Sequence, residues 1–148
     1  MQCRCSKKDG DQSLGRSRGG HSTKIHLATD ALGNPIRFSL TAGQRNDITQ
    51  AENLIEHFFP AYVIADKGYD AESLLLLLEQ QEIQAVIPTK TNRKVQRVID
   101  TDLYTERHLI ECCIGKLKHF RRVFSRFDKL AQNYLSFVQF ASTLLWLR

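Results

Sequence analysis

The sequence contains no uninterrupted apolar run of membrane-spanning length, and no basic start followed by an apolar segment. A spanning helix and a secretory leader are therefore not expected, and the chain reads as cytoplasmic with no membrane partner. Its four cysteines fall as Cys3-x-Cys5 and the adjacent pair Cys112-Cys113. That pattern supplies neither a disulfide framework nor paired CxxC knuckles, so reduced thiols are expected. Cys3, Cys5, His21 and His26 include a His-x4-His spacing of the zinc-finger kind, but Cys-x-Cys is tighter than usual and His26 falls inside a strand pattern, so a zinc site is not favoured. Proline is scarce, with three residues, while 42% of the chain is hydrophobic. A chain of 148 residues with that composition is one ordinary domain, or a piece of one, with a packed core.

Charge is present and segregated. Residues 31 to 88 carry three basic against eight acidic side chains, whereas residues 89 to 126 carry ten basic against four acidic, within an overall net charge of +5. An acidic middle followed by a basic third quarter suits a surface that meets a polyanion, although a solvated basic face without a partner gives the same count.

Residues 1 to 21 are polar, rich in Gly, Lys and Arg, and without periodicity, so they read as a flexible arm; residues 22 to 148 read as the folded unit. Thr23 to Thr29 alternates, Leu32-Gly33-Asn34-Pro35 is turn chemistry, and Ile36, Phe38 and Leu40 alternate with polar neighbours. Together they predict an antiparallel hairpin, with Asp30 at its turn. Asp47, three residues before Gln50, reads as the N-cap of a helix reaching Phe59, with Pro60 as its stop. Tyr62 to Ala65 reads as a strand buried on both faces and ending at Asp66. Ala71 to Gln81, with five consecutive leucines, reads as a helix buried around most of its circumference. Ala85 to Ile87 is another short strand, Thr89 to Arg97 a basic loop, and Lys129 to Leu147 a last amphipathic helix.

The stretch from Tyr104 to Lys118 organises the rest. Introduced by Asp100 or Thr101, it reads as one long helix. At about 100° per residue, Tyr104, Arg107, Glu111 and Lys118 fall within an arc of roughly 60°. Leu103, Ile110, Ile114 and Leu117 form the adjacent apolar stripe. A lone Glu on such a helix is usually solvated, and Arg107 and Glu111, four apart, can simply bridge each other.

The spacing Tyr-x2-Arg-x3-Glu-x6-Lys resembles the block around the last catalytic acid of bacterial insertion-sequence transposases of the DDE type, in the insertion-sequence-four and -five superfamily, with the five type fitting best. GRSRGGHSTKIH at Gly15 to His26, TDALGNP at Thr29 to Pro35, ADKGYD at Ala65 to Asp70 and the FRRVFSRFDK and NYLSFVQFASTLLWL segments resemble it in order. The resemblance spans Gly15 to the C-terminus.

The resemblance implies an α/β, RNase H-like catalytic core followed by a C-terminal helical segment. It implies DNA-strand cleavage and transfer at insertion-sequence ends by a two-metal site that uses Mg²⁺ or Mn²⁺. Asp66 matches the second acid and Glu111 the third, both as metal ligands, although a strand-end Asp is often only a turn residue. Lys118 and Arg107 would hold DNA phosphates or order the carboxylates, and Tyr104 would stack or hydrogen-bond near the element's end.

Arg16, Arg18, Arg93, Lys94, Arg97, Arg121, Arg122 and Arg126 are candidates for backbone contacts. Phe120, Phe124 and Phe127, interleaved among them, fit a core better than a stacking platform. Duplex DNA is the expected partner, a homodimer the expected synaptic state, and the bacterial nucleoid the expected place of work.

The family's first acid lies on a central strand between the hairpin's inner strand and the strand ending at Asp66. No alternating apolar run before Gly15 supplies that strand, and Asp9, Asp11 and Asp30 are poor substitutes for the acid. The chain is therefore expected to need an upstream transposase segment for cleavage. The alternative is a catalytically dead DNA-binding remnant, or an inhibitor of the full-length enzyme.

Overall fold

A computed structural model describes residues 11–17 and 20–147, with only the backbone of Arg16, Ser17 and His21. Strands β1 (Gly15–Ser17), β2 (Gly20–Thr29) and β3 (Pro35–Ala42) form an antiparallel sheet in that order. The expected hairpin is present, with Ile25 opposite Leu40 and Leu27 opposite Phe38, which puts one apolar face toward the helices. β1 corrects the reading of residues 1 to 21 as an arm without structure: Gly15 pairs with Ser22 and Ser17 with Gly20. Three residues that pair through backbone alone leave no periodicity to read.

The hairpin turn is closed by Asp30. Its Oδ1 accepts the backbone N–H of Leu32 at 2.9 Å and of Asn34 at 2.8 Å, and its Oδ2 accepts Asn34 Nδ2 at 3.0 Å. Gly33 sits at φ +81°, and a Cβ there would stand 3.2 Å from the Leu109 Cβ. The turn therefore needs glycine twice, for its backbone angle and for its approach to the helix that carries Glu111.

The segment after Gly43 departs from expectation. Asp47 to Gln50 is a 3₁₀ turn and helix α1 covers only Ala51–Ile55. Asp47 is not a cap: it accepts Lys24 Nζ at 3.0 Å and lies 3.7 Å from His26 Nδ1. Gln50 is likewise drawn to the sheet, accepting the Ser39 hydroxyl at 2.5 Å. Arg37 ends α1 early, donating to the carbonyls of Asn53 at 2.7 Å and Glu56 at 2.6 Å while stacking over Phe58. His57 follows at φ +65°. Tertiary contacts from β2 and β3 thus override a local capping signal.

Strand β4 (Tyr62–Ile64) pairs in parallel with β5 (Gln84–Val86), and helix α2 (Glu72–Gln80) joins them. Ala51, Leu74, Leu78, Ile83 and Ile87 form the core of this half. The expectation of a strand covered on both faces is not met, since Tyr62 is 45% exposed. Nor is α2 buried all round: Leu74 and Leu78 are buried, but Leu76 is 51% exposed. A two-stranded sheet offers a helix only one side to pack on.

The expected single helix of Tyr104 to Lys118 is two: α3 (Thr101–Thr105), N-capped by Asp100, and α4 (His108–Lys118). Between them Glu106, Arg107 and Leu109 donate to carbonyls three residues back, a 3₁₀ step that separates the two helices. On α4 the buried stripe differs from the expected one. Cys113 and Leu117 are buried, Ile110 is half-buried and Ile114 is exposed. Helix α5 (Arg121–Phe124) was not foreseen; α6 (Ala131–Trp146) was.

The second core joins Leu27 to Cys113, Leu117, Val123, Tyr134, Val138 and Ala141, with Ile25, Phe38, Leu40 and Phe120 against it. Tyr134 donates to the Val123 carbonyl at 2.7 Å, and Trp146 Nε1 to that of Pro35 at 2.8 Å. The class is α/β, in two sheets, and among the described residues no strand joins them.

Two stability predictions follow from these contacts. Gly33→Ala forces a side chain into a left-handed angle against Leu109 and should destabilise the chain by about 1–3 kcal/mol in urea denaturation. His26 is buried and hydrogen-bonded to Thr41 Oγ1 at 2.7 Å. Burial pushes its pKa below the ordinary 6.5, with Asp47 opposing and Lys24 assisting. The unfolded chain then takes up a proton that the folded chain refuses, so stability should fall as pH drops through about 6.5. His26→Gln should flatten that part of the pH–stability curve.

Candidate active site and nucleic-acid interface

Asp66 lies just past β4, where Ala65 still donates to the Val86 carbonyl at 3.4 Å. It N-caps the 3₁₀ turn Lys67–Tyr69, its Oδ1 accepting the Gly68 N–H at 2.8 Å. A Cβ on Gly68 would stand 2.8 Å from that oxygen, so the turn closes tightly on the carboxylate. The carboxylate is exposed and borders an open hollow of about 470 Å³ lined by Asp66, Lys67, Gly68, Lys90, Thr91 and Asn92. Next to it, burial together with the charges of Asp47 and Asp66 pushes the Tyr69 hydroxyl up to about 12.

Glu111 stands in the first turn of α4 and accepts Arg107 Nη1 at 2.6 Å, the local bridge that their spacing left open. The Arg107 guanidinium in turn lies over the Tyr104 ring, 5.6 Å from its centre. Its pKa is raised chiefly by the hydrogen bond to Glu111, against desolvation, with the charges of Glu111, Tyr104 and Asp66 adding. Of the two acids, Glu111 is the one that Arg107 bonds. Lys118, two turns further along α4, is exposed.

The donor set suits a hard cation in kind. Both carboxylates face solvent, and the bonds described engage Asp66 Oδ1 and Glu111 Oε1, leaving Oδ2 and Oε2 outside them. It does not suit one in number, for among the described residues no three of His, Cys, Asp and Glu gather closely enough to hold a metal ion.

Asp70 is the functional neighbour that sequence reasoning missed. Its carboxylate is wholly buried and accepts the Lys90 N–H at 2.8 Å and Arg97 Nη2 at 2.7 Å, with Arg93 Nε ion-paired to it at 3.0 Å. Burial pushes the carboxyl pKa up, but the Lys90 amide and the two guanidiniums outweigh it and hold it below the usual carboxylate range. The basic loop is braced further by Arg97 N–H to Thr89 Oγ1 at 2.9 Å and by Gln96 Nε2 to the Arg93 carbonyl at 2.9 Å. Arg93 and Arg97 are therefore engaged by an internal acid. No local signal marks Asp70, because its partners lie 20 to 27 residues away.

The remaining basic residues are spread widely. Arg126 staples the chain, donating to Thr23 Oγ1 at 2.6 Å, to the Asp128 carbonyl at 2.9 Å and to the Lys129 carbonyl at 2.9 Å, over the Tyr134 ring. Arg122 lies over Phe137, 3.7 Å from Asp128, and Arg121 lies over Phe127. Lys94 is exposed. The Arg16 side chain and the whole of Arg18, Cys3 and Cys5 lie outside the described residues. Of the three interleaved aromatics only Phe120 packs on the core; Phe124 and Phe127 are 68% and 59% exposed. The short α5 has one buried position, which Val123 takes.

Asp66 thus borders a hollow lined by two lysines in the half of this α/β protein that carries β4 and β5, while Glu111 is bridged to Arg107 at the start of α4. Residues 4–144 match the transposase DDE domain, and the chain belongs to that family. Its activity class is DNA transposition. The chain is 37% identical over 129 residues to a protein of Brucella ovis named as transposase of insertion sequence element IS6501, covering 86% of this chain and 99% of that one. It is 31% identical over 150 residues to one of Burkholderia cepacia named for element IS402, covering 93% of this chain and 68% of that one. No solved structure matches it. Among the described residues no helix is long and apolar enough to cross a membrane.

Asp70→Asn leaves two arginines around a buried neutral group and should destabilise the chain by about 3–5 kcal/mol in urea. Because the native carboxyl has the lower pKa, its contribution is present above the ordinary carboxylate pKa and is lost as pH falls through the folded value. The variant should therefore lose stability at neutral pH and lose less of it on acidification than the parent.

Proposed function

We propose that this chain supplies the second and third acids, Asp66 and Glu111, of an RNase H-like DDE transposase that cleaves and joins DNA strands at insertion-sequence ends. The observation that carries the reading is the Tyr104, Arg107, Glu111 and Lys118 frame, in which Arg107 bridges Glu111 and lies over Tyr104, in a chain that matches the transposase DDE domain over residues 4–144. Asp66 and Glu111 would hold Mg²⁺ or Mn²⁺, ions suited to hard carboxylate oxygens. When bound, such ions activate the attacking oxygen and stabilise the leaving 3′ oxygen. Gly68 orients Asp66 through its N–H, and Arg107 orients Glu111. Tyr104 stacks under that guanidinium, and Lys118 on the same helix is placed to meet the DNA backbone.

The first acid would come from an upstream transposase segment. Two open edges support this. Among the described residues, β2 from Thr23 to Thr29 pairs only with β3, and β4 pairs only with β5. A strand between them would complete one sheet and bring its own Asp to the pair. A homodimer would then synapse two element ends. That no three of His, Cys, Asp and Glu gather among the described residues favours a second reading, a DNA-binding remnant that inhibits full-length transposase.

The deciding assay supplies the upstream segment in trans and follows Mg²⁺-dependent cleavage of a duplex carrying the element's end. Cleavage should appear only in the mixture. Losing an outer-shell partner already costs metal sites about 10- to 100-fold, so Asp66→Asn and Glu111→Gln should each lower it by more than about 100-fold. Salt-sensitive end binding with no cleavage in any mixture would establish the inhibitor reading instead.

A further inference from the structure

The hollow beside Asp66 contains more cationic groups than two metal-binding acids require. Lys67 follows Asp66 directly in the turn, and Lys90, Thr91 and Asn92 face it from the basic loop. The arginines of that loop, which its composition offered first, are bound inward on Asp70. What remains on the open side is two ammonium groups, a hydroxyl and an amide around one carboxylate. We propose that Lys67 and Lys90, with Thr91 and Asn92, form a cradle for a backbone phosphate next to the bond that Asp66 serves, and that Asp70 is the positioning residue that holds the cradle in place.

The geometry assigns each part. Asp70 takes the Lys90 backbone N–H itself at 2.8 Å, so the residue that carries one cradle ammonium is fixed at its main chain, and only the side chain remains to reach outward. Arg93 N–H to the Lys90 carbonyl at 3.1 Å closes the turn that presents Thr91 and Asn92. Lysine suits these positions because a compact charge on a flexible stem can follow a phosphate along a groove, where a fork already committed to a carboxylate cannot. Contacts of the two lysines to phosphate add affinity and register without sequence preference.

This inference rests on the transposase reading, and salt-dependent binding separates the two. Binding of the full chain to a labelled duplex is measured across a range of KCl. Lys67→Gln and Lys90→Gln, both on the open hollow, should each flatten the slope of log affinity against log salt by about 0.9, as expected when one phosphate is no longer neutralised. A free phosphate ion cannot produce that change, because the slope arises from counterions condensed on the polymer.

In the Asp70→Asn background the Lys90→Gln change should no longer alter the slope, whereas a merely stabilising Asp70 would leave the lysine's effect intact. Should Asp70→Asn fail to fold, Thr89→Val loosens the same loop by removing the acceptor of the Arg97 N–H and should shrink the Lys90 effect likewise. A parent slope unchanged by both lysine variants overturns the cradle alone. A parent with no salt-sensitive binding overturns the transposase reading, and the cradle with it.

Discussion

The half of the molecule that carries Asp66 depends on one buried carboxylate. Asp70 is closed off from water and takes two hydrogen-bond donors, Lys90 N–H and Arg97, and the ion-paired Arg93 from a loop whose first bonded residue lies 20 residues later in the chain. A charge in that position is costly unless every lone pair is matched, so the loop has few alternatives. Once Asp70 is placed, Lys90 is placed with it, and the hollow beside Asp66 acquires its far wall. The loop has no helix or strand of its own. It is ordered by electrostatics rather than by backbone ladders, and residues on an ordered loop next to an exposed acid are well situated to handle a polyanion.

Arg107 is the corresponding constraint on the other side. It bonds Glu111 at 2.6 Å and lies over Tyr104, so it fixes the carboxylate in the first turn of α4 against the ring carried by α3. A 3₁₀ step at Glu106 and Arg107 separates the tyrosine from the glutamate, while Arg107 still meets both. The helical projection placed these side chains on one face although it assumed a straight helix. They meet because neighbours three and four apart stay adjacent in either geometry.

Features encoded locally were legible in the sequence. The hairpin, its Asp30 and Gly33 turn, the Asp100 cap, the leucine helix and the C-terminal amphipathic helix all announce themselves within a few residues. What was not legible is set by partners far away. Asp47 and Gln50 look like a capping pair until Lys24, His26 and Ser39 compete for them from the sheet. Arg93, Arg97 and Arg126 look like phosphate ligands because composition does not show that Asp70, Thr23 and the Asp128 carbonyl already engage them. A basic loop signals charge; which of its charges remain available is a tertiary property. Asp66 and Glu111 were legible only through the frame of residues around them, and the reading of Lys67 and Lys90 needed the hollow.

The separation of the two sheets has a mechanical consequence. In a single sheet, ladder hydrogen bonds would tie the Asp66 strand to the hairpin that supports Glu111. Here the tie is made by α1, which packs against β2 and β3 while its Ala51 joins the other core, and by the contact between the Asp47–Gln50 turn and the Lys67–Tyr69 turn. A five-residue helix and two short turns are a compliant link, because little buried area resists small rotations between the cores. Metal-assisted chemistry tolerates displacements well below an ångström. A strand bonded to both β2 and β4 would replace that compliant link with two backbone ladders. Such a strand would therefore fix the placement of Asp66 relative to the hairpin against which α4 packs.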